Sequence, residues 1–170
     1  MQNAIDVFQN PGAAYLGGVN TGIPTIPSPL HIGIENSRRF RALPVYASLI
    51  AYGEQGYRDI IERQIRLARS VAQYIINQPE LELLPKSDLT DEQKLAQIYI
   101  IVLFKAKDKN LNAQLVKKIN ATRRVYVSGT SWDDEPACRF AISNWQVDVE
   151  RDLNIIKGVL EEVVSVAKSE

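Results

Sequence analysis

The sequence predicts an α/β fold: a two-layer sandwich with a small, mainly antiparallel sheet and helices on one face. Three observations carry this. Past residue 80, short runs rich in Ile, Val, Tyr and Phe alternate with amphipathic helical stripes. Between residues 57 and 76, apolar residues recur at helical spacing. Before residue 35, glycine and proline are so dense that no long regular element can form.

The opening stretch runs from Met1 to Ile34. Met1 to Phe8 can form a short helix, and Asn10-Pro11-Gly12 ends it. Ala13-Ala14-Tyr15-Leu16-Gly17-Gly18 follows, then Thr21-Gly22 and prolines 24, 27 and 29. A stretch of this length without regular structure is either a functional loop or a frayed arm, and both readings stay open here.

Three arginines in four positions, Arg38, Arg39 and Arg41, then open an apolar helical run from Val45 to Tyr52. Ser37 is placed to cap that helix, and Pro44 to kink or restart it. Gly53 and Gly56 mark a break. From Tyr57 the stripe is Ile60, Ile61, Ala68, Val71, Ala72, Ile75 and Ile76, and Pro79 follows the end. Arg58, Arg63, Arg66 and Arg69 take the other face with Asp59 and Glu62, which reads as a solvent face with local pairing.

Beyond the helix, Leu81 to Leu84 predicts a short strand and Lys86 to Asp91 a polar turn. Gln97 to Ala106 is nearly continuous in apolar residues and predicts a central strand buried on both faces. Leu111, Leu115 and Ile119 mark a short helix after a turn at Asp108 to Asn110. Val125 to Val127 reads as a strand, Ser128 to Pro136 as a polar loop, and Ala137 to Ser143 as a half-buried strand. Asp148 is placed to cap a last helix, whose stripe is Leu153, Ile156, Leu160, Val163 and Ala167.

Composition narrows the function classes. The 170 residues are 45% hydrophobic and 24% charged, with 20 acidic and 20 basic side chains. A balanced chain gives no reason to expect nucleic acid or an anionic membrane as partner. Cys138 is the single cysteine, which precludes an intrachain disulfide, and the cytoplasm is the default location. The longest apolar run, Ile98 to Phe104, is too short to span a bilayer. His31 and Cys138 match no metal-ligand spacing, and no phosphate-binding glycine motif is present.

One resemblance takes the reading further. NSRRFRALPVYASLIAYGEQGYRDIIERQIRLARSVAQYI, from Asn36, resembles the (G/S)RRFR segment of the group II pyridoxal-phosphate-dependent amino-acid decarboxylases. These are the relatives of aromatic-amino-acid, histidine, tyrosine and glutamate decarboxylases. LNAQLVKKINATRRVYVSGTSWDDEPACRFAISN, from Leu111, looks like the same family's C-terminal segment. The resemblance implies the C-terminal part of the aspartate-aminotransferase-like fold. Residues 1–35 would be a mobile active-site loop or arm, 36–79 a helical connector from the large domain, and 80–170 the small C-terminal α/β domain.

It also implies site roles. Ala14-Tyr15-Leu16 occupies the place of the family's loop tyrosine, which makes Tyr15 the expected catalytic group, protonating the substrate α-carbon after carbon dioxide leaves. Gly17-Gly18 and the prolines depart from the family's flanks. Ser37 stands where a small residue shapes the substrate pocket, and Arg38 matches a recurrent arginine that anchors the active-site end of the helix. Arg39 and Arg41 read as ordinary helix-start charge.

The family's cofactor lysine belongs to an Asn/His-x-x-Lys segment, and Lys86, Lys94 and Lys105 stand in no such context. The expectation is therefore a chain inactive alone, with pyridoxal phosphate the parent family's cofactor but not covalently bound here. Its partners would be an amino-acid substrate in the complete enzyme and a second subunit, in a homodimer. Val45, Leu49 and Ile50 are the expected surface for the large domain and that subunit. A free-standing small α/β interaction or regulatory domain is the alternative.

Overall fold

The computed structural model describes residues 42–169, with side chains placed through residue 166. The order is α1 (Ala42–Ile76), β1 (Leu81–Leu84), α2 (Asp91–Gln97), β2 (Ile101–Ala106), α3 (Lys109–Ala121), β3 (Ser128–Trp132), β4 (Glu135–Ala141) and α4 (Val149–Ser169). Two compact units divide after Gly53. Gly53 interrupts α1 with φ 62° and ψ −174°, a conformation open essentially to glycine alone. Gly56, also expected at the break, is helical.

In the second unit the four strands form one sheet in the order β1-β2-β4-β3, and every pair is antiparallel. Strand β2 pairs Leu81 with Ala106 on one side and Val102 with Phe140 on the other. Val102, Phe104 and Ala106 face the core with Cys138 and Phe140. The rings of Phe104 and Phe140 stack at 5.4 Å between centroids, close to parallel at 11°.

The helices supply the other half of that core. Leu67, Ala68, Val71, Ala72 and Ile75 come from α1, Leu111, Leu115 and Ile119 from α3, and Ile156, Val159, Leu160 and Val163 from α4. Of the expected stripes, Ala68, Val71, Ala72, Ile75, Leu111, Leu115, Ile119, Ile156, Leu160 and Val163 are buried, Ile60, Ile76 and Leu153 are half-buried and Ile61 is exposed; Leu67 and Val159 join the core unforeseen. The Tyr74 hydroxyl donates to Glu161 Oε1 at 3.1 Å and so joins α1 to α4. Burial, then the Glu161 carboxylate, pushes that phenol up to about 12. Helix α4 begins as read, with Arg151 N–H donating to Asp148 Oδ1 at 3.0 Å.

Three expectations are corrected. Gln97 to Ala106 is not one strand buried on both faces: its first residue ends α2, the strand starts at Ile101, and Ile101 is exposed. Helix α2 exists because Thr90 caps it reciprocally with Gln93, each side chain bonding the other's backbone N–H. Val125 to Val127 is not a strand, although Val127 is buried. Its N–H and C=O bond the Asn120 side chain instead of a neighbouring strand. Ser128 to Pro136 is not a loop but most of a hairpin, β3 to β4, turned by Asp133 and Asp134 at positive φ.

Candidate functional site

Tyr15, Ser37 and Arg38, the residues assigned to catalysis and substrate, lie outside the described residues, as does His31. The described residues show how the helix that follows the arginine stretch is held. Arg63 Nη2 donates to the Trp145 carbonyl at 3.3 Å. Gln64, buried, donates from Nε2 to the Asn144 carbonyl at 3.2 Å. Arg69 forks onto the carbonyls of Ile98 at 3.2 Å and Ala96 at 3.1 Å, the end of α2.

Arg63 and Arg69 therefore latch elements together from the solvent face on which the sequence placed them, and Arg63 also bonds the Asp59 carbonyl locally at 3.2 Å. Five guanidinium donors in a fixed fork suit an arginine to paired carbonyls. Arg58 pairs locally with Glu54 at 3.0 Å, as the sequence suggested. The signal for the latches was absent from the one-dimensional pattern, because their acceptors are backbone groups 27 to 82 residues away.

An apolar cleft of about 440 Å³ opens where β1 and β2 pass α2, walled by Leu83, Leu84, Pro85, Ile98, Ile101 and Leu103. Lys94 and Ser87 are polar groups at its margin. Its chemistry is that of a hydrophobic surface with one cation, and that cation is 3.7 Å from Asp91.

Pyridoxal phosphate makes defined demands: an amine free to condense with the aldehyde, a carboxylate for the ring nitrogen, and donors for the phosphate. Lys86 is engaged with Glu82 at 2.9 Å, Lys94 with Asp91, and Lys105 with Glu135. The buried polar side chains among the described residues are Gln64 and Asn112, both hydrogen-bonded amides. None of these three lysines offers an unpaired amine for the cofactor aldehyde. Nor, among the described residues, does any group of His, Cys, Asp and Glu side chains suit a metal ion, and no helix is long and apolar enough to cross a membrane.

The fold of these residues is shared by solved structures of decarboxylases and of an aldehyde synthase. It is similar to 4-hydroxyphenylacetaldehyde synthase of Rhodiola rosea, with a TM-score of 0.62 and 19% identity over 76% of this chain and 27% of the other. It is likewise similar to tryptophan decarboxylase of Catharanthus roseus in complex with L-tryptophan, with a TM-score of 0.60 and 17% identity over 75% of this chain and 27% of the other. The structure of Oryza sativa TDC with PLP and tryptamine gives 0.61 at 17% identity, over 76% of this chain and 28% of the other.

Sequence comparison gives the same group. The chain is 30% identical to aromatic-L-amino-acid decarboxylase of Bacillus atrophaeus over 136 residues, 77% of this chain and 28% of the relative. It is 26% identical to 3,4-dihydroxyphenylacetaldehyde synthase of Drosophila melanogaster over 139 residues, 81% of this chain and 25% of the relative. With histidine decarboxylase of the same organism it shares 27% over 154 residues, 88% of this chain and 17% of the relative. The chain thus resembles a C-terminal portion of the group II decarboxylases. It spans about a quarter of the length of the first two relatives and less of the third. No family profile matches it.

Proposed function

We propose that this chain serves as the C-terminal part of a pyridoxal-phosphate-dependent amino-acid decarboxylase, a carboxy-lyase that turns an amino acid into an amine and carbon dioxide. The observation that carries the reading is the agreement of sequence and fold: decarboxylase relatives match over most of the chain, and decarboxylase structures superpose on it. In this reading Tyr15 is the general acid at the α-carbon, and Ser37 and Arg38 border the substrate. Residues 1–35 act as the closing loop, 36–79 as the connector and 80–170 as the small domain. The assembled enzyme is a cytoplasmic homodimer.

In this reading the 170 residues alone are catalytically incomplete. Lys86, Lys94 and Lys105 are surface amines engaged with carboxylates, which suits none of them to condense with an aldehyde in a closed pocket. The test is a chimera. This chain replaces the matching C-terminal portion of the Bacillus atrophaeus enzyme, and amine release from aromatic amino acids is measured. Decarboxylation by the folded, cofactor-loaded chimera is the expected result. A chimera that folds and loads the cofactor but makes no amine from any amino acid would sink the proposal.

A further inference from the structure

The geometry points to a binding cleft for a small polyphosphate where β1, β2 and β4 meet the first turn of α3. This inference is independent of the decarboxylase reading. The cleft measures about 520 Å³, within the range that holds small ligands. Lys86, Lys105, Lys107 and Lys109 line it, against the carboxylates of Glu82 and Glu135. The whole chain carries no net charge, so the excess of cations here is a local concentration.

Both carboxylates have a lysine at ion-pair distance. Glu135 bonds Lys105, while Glu82 Oε1, which is buried and makes no hydrogen bond, lies 2.9 Å from Lys86. Lys107 and Lys109 are exposed, and among the described residues neither has a carboxylate within ion-pair distance. The lysines also converge in their field. Lys105 at hydrogen-bond distance, then Lys109 and Lys86, holds the Glu135 carboxyl below the usual carboxylate range. The N-terminal end of the 13-residue α3 adds positive potential, reduced by its cap Asp108.

The ligand class follows from the wall. Lysine ammoniums are point charges that suit phosphate oxygens without demanding a planar partner. A single exposed ion pair is weak, so one phosphate gains little and a chain of phosphates that reaches several ammoniums gains more. The uncharged lining is Ala106, Ala113, Asn112 and Pro136, which offers no aromatic or large aliphatic wall for a base or ring. Asn112 is committed to backbone at 3.0 and 2.8 Å and keeps the floor fixed.

The test is titration of the ¹⁵N-labelled chain, carrying Val45→Ser, Leu49→Ser and Ile50→Ser outside the cleft to limit self-association, with inorganic tripolyphosphate, followed by NMR. Saturable shifts are expected at residues of β1, β2, the start of α3 and the start of β4. Lys107→Gln with Lys109→Gln should weaken binding roughly tenfold, the product of two exposed ion pairs. Glu135→Gln, which frees Lys105, should tighten it. Lys117→Gln with Arg66→Gln, exposed cations outside the cleft, should leave it unchanged. All these side chains are on the surface, and the spectra verify folding. The inference is overturned if no saturable shift occurs, if the outside pair weakens binding as much as the cleft pair, or if orthophosphate at equal ionic strength binds as tightly.

Discussion

The Asn112 side chain bridges α3 to the sheet, donating from Nδ2 to the Pro136 carbonyl at 2.8 Å. Its Oδ1 accepts from the Ala106 N–H at 3.0 Å, so one buried amide serves both β2 and β4 just past the end of their mutual pairing at Phe104 and Cys138. Asn112→Ala strands one buried donor and one acceptor. It is expected to destabilise the domain by about 1 to 3 kcal/mol, the cost of the one fully buried group, the Ala106 N–H, since the Pro136 carbonyl belongs to an exposed residue and can turn to water. Urea unfolding of the two proteins measures this. A loss below about 0.5 kcal/mol would mean water replaces the amide at no cost.

A second prediction is stabilising. Arg123 follows the end of α3 at φ 56°, the left-handed position that glycine favours, and its N–H bonds the Asn120 carbonyl at 3.1 Å. Arg123→Gly removes the steric cost of a Cβ there, while it loosens the unfolded chain. The net expectation is a gain of roughly 0.5–1 kcal/mol, read as a rise in thermal midpoint of several degrees.

These two sites show what was legible in the sequence. Stripes of apolar residues located the helices that build the core, and β1 was read with its observed bounds, because burial imposes periodicity on sequence. Strand β3 was missed because Ser128-Gly129-Thr130-Ser131-Trp132 lies at the sheet edge, where little burial imposes a pattern. Helix α2 was missed although Thr90-x-x-Gln93 spelled its capping box. Asn112 and Arg69 were invisible for another reason: their partners are backbone groups, which carry no side-chain signature. Of the site, Tyr15, Ser37 and Arg38 came from family resemblance alone.

Tyr15 can be tested in the chimera. A phenol that donates the proton to the α-carbon acts only in that step, not in cofactor binding. Tyr15→Phe is expected to leave cofactor loading nearly intact and to lower amine production by a factor on the order of 10² or more. Cofactor absorbance and amine yield are the two readouts. Amine formation at close to the parent rate would make Tyr15 an ordinary loop residue.

Cys138 sits in the core on β4, and burial pushes its thiol up to about 12 from an ordinary value near 9. The unfolded chain therefore releases this proton first as pH rises. Stability from this group is whole below about pH 9 and falls between there and about 12, by at most ~1.4 kcal/mol per pH unit. Denaturation at pH 8 and 10 should show the slope, and Cys138→Ala should reduce it; the contribution of Tyr74 enters only above about pH 10. The native thiol should also resist disulfide reagents at pH 8 and react stoichiometrically in denaturant. Rapid native labelling would contradict the burial.

The last prediction concerns the part of α1 before Gly53. Leu43, Val45, Tyr46, Leu49, Ile50 and Tyr52 are all exposed there, Ile50 by 69%. They include the three residues the sequence marked for an absent partner. Scattered apolar side chains are normal on a surface, but six within ten residues of one helix are not scattered. A short helix also draws little stability from propensity alone and relies on packing. The isolated chain is therefore expected to self-associate at micromolar concentration and to bind a dye specific for exposed apolar surface. Val45→Ser, Leu49→Ser and Ile50→Ser together should abolish most of both signals. The urea midpoint should hold, because none of the three contributes to the core formed by the later half of α1 with the sheet. A sharp monomer without dye binding in the parent chain would show that this face is covered within the chain itself. A triple variant that lost its urea midpoint would show that the face supports the fold rather than a partner.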